Sequence, residues 1–327
     1  GETMETITEK MKLNEIESLK EYRGLLLYNS EVNGKPSESY SLEELQKGIP
    51  AWNPKSALNG LKRLQELSAD HQVMYSVYDE EECQDDEQKK MVKIWHFPPE
   101  EDKKAPFLFV IAGGAYCSVC SAVEAFPTAV HFNKMGYHVF VLNYRIGRDK
   151  VMPKPLDDLA AAYKFVVSRK EEFGLATEEY GVCGFSAGSN LTNLWGTKER
   201  GYAHYNLPKP LVLFPIYTYI SVSDENKERN REFWNIMCGK DAGPEEMEKY
   251  KVSKMLDQDY PPCYIVHCKD DSTVPYENSV YLYEQLKKYG VKVQLKLGEK
   301  GEHGFGDGRG TDVEGWPEAA IQFLEKL

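Results

Sequence analysis

A serine near the middle of the chain lies in a pattern that is typical of an activated nucleophile. Ser186 is the central residue of 184–188, G-F-S-A-G, which follows the short apolar stretch 180–183. Between a buried strand and a helix, this pentapeptide forms a sharp turn that holds the serine hydroxyl above a sheet. The alternative is an ordinary flexible Gly/Ser turn. Whether the chain also offers a base, an acid and oxyanion donors distinguishes the two interpretations.

An activated serine needs a base, an acid that orients the base, and N–H donors for an oxyanion. The chain has seven histidines, and only His303 follows the last predicted strand, in the glycine-flanked loop 301–306. His267 lies inside a predicted strand and is expected to be a structural histidine. We therefore predict that His303 is the base, with an ordinary loop histidine as the alternative.

Two neighbouring aspartates come directly after a predicted strand, where the orienting acid is expected. Asp270 and Asp271 both lie between Ser186 and His303, and Ser, Asp, His is one of the chain orders that such a triad adopts. Capping of the following helix is the alternative role for both carboxylates. The residues alone leave the choice between the two aspartates open.

The oxyanion donors are predicted from a glycine pair. Residues 112–116 read A-G-G-A-Y and directly follow the apolar strand predicted at 107–111. Glycines let backbone N–H groups approach a developing oxyanion without interference from side chains. The predicted donors are the N–H groups of Gly114, Ala115 and Ala187.

Charge and composition exclude several other classes of function. The net charge of -12 argues against nucleic-acid and anionic-membrane partners, which attract cationic surfaces. Seven scattered cysteines favour a reducing, cytoplasmic location over a disulfide framework. Cys117 and Cys120 form a C-x-x-C without a second pair or a histidine at ligand spacing, so we expect neither metal nor cofactor. A homo-oligomer is left open.

The spacing of apolar residues changes near residue 69 and divides the chain into two parts. Residues 1–68 predict an N-terminal helical extension, with a capping box at 41–44 and a cap followed by proline at Asn53 and Pro54. Packing of these helices on the main domain is the simplest interpretation; coverage of the active site or dimerisation is the alternative.

Residues 69–327 predict a catalytic domain in which strands alternate with helices. After a hairpin at 73–97, repeated βα units indicate an α/β fold with a mostly parallel sheet and helices on both faces. Residues 219–259 break this alternation and are predicted to form a lid insertion at the carboxyl edge of the sheet. The predicted strands after the hairpin are 107–111, 137–142, the strand before Ser186, 211–216, 263–267 and 291–297.

With these motifs in place, residues 70–327 resemble α/β-hydrolase esterases of the acetyl esterase/lipase and bacterial polysaccharide (xylan) esterase type. The matching motifs are A-G-G-A-Y at 112–116, N-Y-R at 143–145, G-F-S-A-G at 184–188, D-D-S-T-V-P at 270–275 and G-E-H-G-F at 301–305. In that family the acid stands three residues before the valine of V-P, which implies Asp271. Two positions depart from the pattern, because Ala112 replaces the usual histidine and Ala115 replaces the third glycine.

The resemblance implies a serine esterase without cofactor that acts on a small-molecule ester. It also implies a small acyl group such as acetyl, with acetylated xylo-oligosaccharides among the candidate substrates. A serine peptidase of prolyl-oligopeptidase type shares the triad and is the nearest rival. A lapsed hydrolase that serves as a small-molecule binding module is the rival from another class.

Overall fold

The centre of the molecule is a twisted sheet of eight strands, seen in a computed structural model that describes residues 3–220 and 228–327. The strands, in chain order, are β1 (Glu31–Val32), β2 (Lys35–Pro36), β3 (Met74–Ser76), β4 (Lys93–Phe97), β5 (Phe107–Ile111), β6 (Val139–Asn143), β7 (Tyr180–Phe185), β8 (Val212–Ile216), β9 (Cys263–Cys268) and β10 (Val293–Gly298). The order across the large sheet is β10-β9-β8-β7-β5-β6-β4-β3, while β1 and β2 form a separate hairpin.

Most neighbouring strands of the large sheet are parallel, as predicted. Among the described strands of this sheet, the antiparallel pairs are β4 with β6 and β3 with β4, and the second pair confirms the predicted hairpin. Every residue of the central strand β5 is buried, because helices cover both of its faces. At the edge, β10 alternates between half-buried and exposed residues, since one of its faces meets water.

Helices surround this sheet. Their bounds are α1 (Leu42–Gly48), α2 (Pro54–Asp70), α3 (Ala125–Lys134), α4 (Lys154–Ser168), α5 (Ala187–Trp195), α6 (Glu228–Cys238), α7 (Pro244–Glu248), α8 (Glu277–Lys288) and α9 (Trp316–Glu325). The predicted capping box of α1 is confirmed, because the Ser41 hydroxyl accepts from the Glu44 N–H and the Glu44 carboxylate accepts from the Ser41 N–H. In the described part of the chain, no helix has the length and apolar character of a membrane span.

The first helical segment of the extension is made of short 3₁₀ helices at Leu13–Glu15 and Glu17–Tyr22. Its buried apolar residues recur every third position, at Leu13, Ile16, Leu19 and Tyr22. Three residues per turn is the period of a 3₁₀ helix, which matches this spacing, although the extended Ile16 separates the two helices.

The segment that follows pairs with the loop after β5. Tyr28 and Val119 exchange two backbone hydrogen bonds of 2.9 Å, and the Ala122 N–H donates to the Leu26 carbonyl at 2.9 Å. The Asn29 side-chain amide adds a bond of 2.9 Å to the Cys117 carbonyl. The N-terminal residues therefore brace the loop that contains the predicted oxyanion donors.

The predicted lid lies partly outside the described residues, because 221–227 are not described. Its described part contains α6 and α7, and α6 buries Trp234 and Met237. Backbone hydrogen bonds from Val151 and Met152 to the carbonyls of Ile236 and Met237, at 2.8 and 3.0 Å, attach the end of α6 to the main domain.

An ion-pair cluster joins α3 to the C-terminal region. His131 Nε2 lies 3.0 Å from the Asp307 carboxylate and its Nδ1 lies 2.6 Å from the Glu318 carboxylate. Burial lowers the pKa of His131, but the hydrogen bonds with Asp307 and Glu318 outweigh it and raise the pKa above its usual value. The protonated imidazole therefore stabilises the folded state below its unfolded pKa, and this contribution is lost as pH rises through the folded pKa.

We expect His131→Gln to lower the free energy of unfolding by about 1–3 kcal/mol at pH 6, because a charge-assisted bond is lost. The loss should be smaller at pH 9, where the imidazole of the parent is neutral. Urea denaturation at both pH values measures the difference, with the exposed His204→Gln as the control. Equal losses at pH 6 and pH 9 would contradict the assignment.

Candidate active site

The backbone at Ser186 has a strained conformation that lifts the hydroxyl out of the sheet. Ser186 lies between β7 and α5 with φ 54° and ψ -116°, a region that residues with a side chain rarely adopt. Its N–H donates to the Ile216 carbonyl at 3.1 Å, which ties the turn to the neighbouring strand. The predicted strand–turn–helix context is confirmed.

Glycines make this turn sterically possible. A Cβ on Gly184 would lie 2.1 Å from the Gly188 carbonyl oxygen, and one on Gly188 would lie 2.2 Å from the Ile111 carbonyl oxygen. Across the turn, a Cβ on Gly113 would lie 2.5 Å from the Phe185 carbonyl oxygen and 2.8 Å from the Ser186 Cβ. The serine turn and the loop after β5 are therefore in backbone contact.

Three side chains that are far apart in sequence form a continuous hydrogen-bonded row. His303 Nε2 lies 2.9 Å from Ser186 Oγ, and His303 Nδ1 lies 2.9 Å from Asp271 Oδ2. Since a carboxylate accepts at Nδ1, that nitrogen carries the proton and Nε2 is free to accept from the serine hydroxyl. This geometry suits transfer of the serine proton to the imidazole.

The two neighbouring aspartates have different hydrogen-bond partners in the structure. The Asp271 side chain is fully buried beside the imidazole, and its second oxygen accepts from the N–H groups of Thr273 and Val274 at 2.9 and 2.8 Å. Asp270 instead accepts from the N–H groups of Gly301 and Glu302, at 3.1 and 2.7 Å. Asp270 thus anchors the loop of His303, while Asp271 contacts the imidazole itself.

His267 contacts the same carboxylate. As expected of a structural histidine, it is fully buried on β9, but its Nε2 also lies 3.1 Å from Asp271 Oδ2 and 3.0 Å from the Val274 carbonyl. Burial raises the pKa of Asp271, yet the hydrogen bonds from His267 and His303 outweigh it and hold the pKa well below its usual range. The carboxylate is therefore ionised at neutral pH.

The loop with the predicted oxyanion donors adopts left-handed backbone angles, with φ 141° at Gly114 and 55° at Ala115. Hydrogen bonds from the Cys117 and Ser118 N–H groups to the Gly114 carbonyl, 2.9 and 3.0 Å, close the turn. Ala115 and Ala187 line the same cavity as Ser186, whereas Gly114 lies against Ser118 outside that lining.

The cavity beside Ser186 is small and mainly apolar. Its volume is about 170 Å³, below the roughly 300 Å³ at which pockets for drug-sized ligands begin. Part of its wall comes from α6, through Phe233 and Ile236, and part from the segment after Asp271. The described residues that line it are Ala115, Ser186, Ala187, Tyr219, Asn230, Glu232, Phe233, Ile236, Thr273, Val274 and Pro275.

Two further residues contact the site and were not predicted. Tyr217 directly follows β8, and its ring lies 4.5 Å from the His303 ring between centroids. The buried Glu124 accepts the Tyr217 hydroxyl hydrogen bond and, at 2.8 Å, the Gly113 N–H. Tyr217 could have been suspected from its place at the carboxyl end of a strand, whereas no local pattern distinguishes Glu124.

Comparison with known proteins places this site in a family context. The family model BD-FAE matches residues 95–286. The described part of the match includes Ser186, Asp271 and the loop after β5, while His303 lies after it.

Proteins similar to the chain include a xylanase and an acetylxylan esterase. Endo-1,4-beta-xylanase B of Butyrivibrio fibrisolvens is 25% identical over 66% of this chain and 35% of its own length. Acetylxylan esterase of Xylanibacter ruminicola is 27% identical over 61% of this chain and 40% of its own length. The chain thus spans less than half of either relative.

The solved structure is that of an acetyl ester-xyloside bifunctional hydrolase from Caldicellulosiruptor lactoaceticus. It is 25% identical, covers 77% of this chain and 95% of its own, and superposes with a TM-score of 0.66. This similarity confirms the predicted α/β-hydrolase fold.

The contact between Gly113 and the serine turn gives a testable consequence. We expect Gly113→Ala to lower the free energy of unfolding by about 1–3 kcal/mol, because the new methyl group forces two backbone segments apart. Gly243→Ala is the control, since Gly243 has φ -84° and an open space around its Cα; its effect should stay within about 0.5 kcal/mol. Equal unfolding midpoints in urea for the two variants would contradict the close contact.

Proposed function

The chain belongs to the BD-FAE family, and from that premise we propose that it is a serine carboxylic-ester hydrolase that works through an acyl-enzyme. One observation carries the proposal. Ser186, on a strained turn, His303 and the buried Asp271 are linked by two hydrogen bonds of 2.9 Å each. Nucleophile, base and orienting acid in such a row are the requirement for covalent acyl transfer.

In the first step, His303 Nε2 removes the proton from Ser186 Oγ as the oxygen attacks the ester carbonyl carbon. A tetrahedral intermediate forms with a negative charge on the former carbonyl oxygen. The proposed donors to that charge are the N–H groups of Ala115 and Ala187, two residues that line the cavity, together with the N–H of the adjacent Gly114. The imidazolium then protonates the leaving alcohol and the C–O bond breaks.

In the second step, His303 removes a proton from water, whose oxygen attacks the acyl-enzyme. Collapse of the second tetrahedral intermediate releases the acid, and the proton on His303 returns to Ser186 Oγ. Throughout, Asp271 holds the imidazole by its Nδ1–H and stabilises its positive charge. The low pKa of Asp271 supports this role, because the carboxylate stays ionised beside the imidazolium.

The cavity volume supports a small acyl group. A space of about 170 Å³ bounded by Phe233 and Ile236 accommodates an acetyl group, and longer chains would meet these side chains. Similarity to an acetylxylan esterase and to an acetyl ester-xyloside hydrolase supports acetyl esters of xylo-oligosaccharides as substrates. The described cysteines are all unpaired, which supports a reducing, cytoplasmic setting.

Ser186→Ala should reduce the hydrolysis of p-nitrophenyl acetate by about 10⁴–10⁶-fold, because the nucleophile is lost. The exposed Ser168→Ala should retain the parental rate. A fluorophosphonate probe should label the parent but not Ser186→Ala, whereas a lapsed hydrolase would show neither labelling nor turnover. Near-parental hydrolysis by Ser186→Ala would refute the mechanism, and faster cleavage of a dipeptide anilide than of any ester would favour the peptidase alternative.

Acyl-length preference tests the substrate proposal. With p-nitrophenyl esters, kcat/KM should fall at least about 10-fold from acetate to octanoate, since added methylenes meet the cavity wall. Phe233→Ala should recover part of the octanoate activity, while Phe165→Ala, a half-buried aromatic residue of α4 that does not line this cavity, should not. A parental enzyme that prefers octanoate would exclude the assignment of this cavity to a small acyl group.

A further inference from the structure

A buried carboxylate that the mechanism does not use lies between the two halves of the site. Glu124, just before α3, is 5% exposed. Burial of a carboxylate is costly unless hydrogen-bond donors compensate it. Its two oxygens each have a donor, namely the Gly113 N–H at 2.8 Å and the Tyr217 hydroxyl.

Both donors belong to segments that the mechanism requires. Gly113 is in backbone contact with Ser186 and directly precedes the predicted oxyanion donor Gly114. Tyr217 packs its ring against the His303 ring, with centroids 4.5 Å apart, and its hydroxyl oxygen lies 3.4 Å from the Gly306 N–H. Glu124 therefore joins the loop after β5 to the loop of His303 through one carboxylate.

The orientation of the Gly113 peptide has a consequence for the oxyanion hole. Because the Gly113 N–H donates to Glu124, its peptide is held in one orientation and this N–H is not among the donors for the oxyanion. The left-handed φ values of Gly114 and Ala115 then change the direction of the next peptides. By holding the Gly113 peptide, Glu124 thus restricts the orientation of the following N–H groups, those of Gly114 and Ala115.

We propose that Glu124 is a positioning residue that acts on His303 through Tyr217 and on the oxyanion donors through Gly113. The proposal rests on the proposed serine-esterase function. In the catalytic cycle, His303 becomes positively charged when it takes the serine proton. Two carboxylates then act on it: Asp271 by direct contact, and Glu124 across the Tyr217 ring.

The other titratable groups that face Glu124 do not compete for this role. Among residues 3–220 and 228–327, they come from the loop after β5, from β7 and from the ends of β6 and β8, and they are Cys120, Cys183, Tyr144 and Tyr217. Burial raises the pKa of each of them, so all four are neutral at physiological pH. Burial raises the pKa of Glu124. The hydrogen bonds from Tyr217 and Gly113 and the positive charge of protonated His303 favour its ionised form.

The test compares Glu124→Gln with the parent on p-nitrophenyl acetate across a pH series. Glutamine keeps the size and the acceptor for Gly113 but removes the charge. We expect kcat to fall about 10- to 100-fold through misplacement of the reacting groups, with KM changed less than about twofold. The acid limb of kcat/KM reports protonation of the base in the free enzyme, and loss of a nearby negative charge should move that limb to lower pH.

Glu38→Gln is the matched control, because Glu38 is also buried and also accepts backbone hydrogen bonds, from Gly24 and Leu27 at 2.9 and 3.1 Å. It should lower the melting temperature without moving the acid limb. If Glu124→Gln does not fold, Tyr217→Phe carries the test, since it keeps the ring against His303 and removes only the hydroxyl. It too should lower kcat about 10-fold or more.

Parental kcat and an unmoved acid limb in a folded Glu124→Gln, or parental kcat in Tyr217→Phe if Glu124→Gln does not fold, would overturn the proposal. So would a loss of stability without either kinetic change, because a purely structural carboxylate would behave in that way. Both of these outcomes differ from a failure of the proposed function. In that case the parent itself would neither hydrolyse the ester nor react with the fluorophosphonate probe.

Discussion

Backbone contact between the end of β5 and the turn after β7 is the constraint on which the site depends. Adjacent parallel strands bring their carboxyl ends to one edge, and here the two following segments approach so closely that Gly113, Gly184 and Gly188 leave no room for a Cβ. This contact places Ser186 and Ala115 at one cavity. The strained φ at Ser186 lies within this region of close contact.

The second organising feature is a carboxylate shared by two imidazoles. Asp271 Oδ2 contacts both His303 and His267, and His267 in turn lies 2.6 Å from the Ser279 hydroxyl on α8. The strand end, the following loop and the next helix are thereby coupled to the orientation of one acid. Such a network holds the imidazole in one tautomer at little entropic cost during a reaction, because its members are already packed.

The predictable parts of the site are those encoded by local pattern. The serine turn, the glycine loop and the strand series follow from short motifs and from apolar periodicity, and each is found at the expected place. Glu124 and Tyr217 were missed because their hydrogen bond joins residues 93 positions apart, so its meaning depends on the assembled sheet. The choice between Asp270 and Asp271 likewise required a resemblance, since neighbouring carboxylates differ only in the direction that the folded loop gives them.

The backbone bonds between Tyr28 and Val119 have a consequence for how the chain matures during synthesis. A polypeptide leaves the ribosome from its N-terminus, so residues 26–29 emerge well before the loop that they brace. The loop after β5 is consequently synthesised after the segment that braces it, and His303 is synthesised after both. The residues of the reactive centre are therefore synthesised in the order loop, nucleophile, acid and base, after the segment that braces the loop.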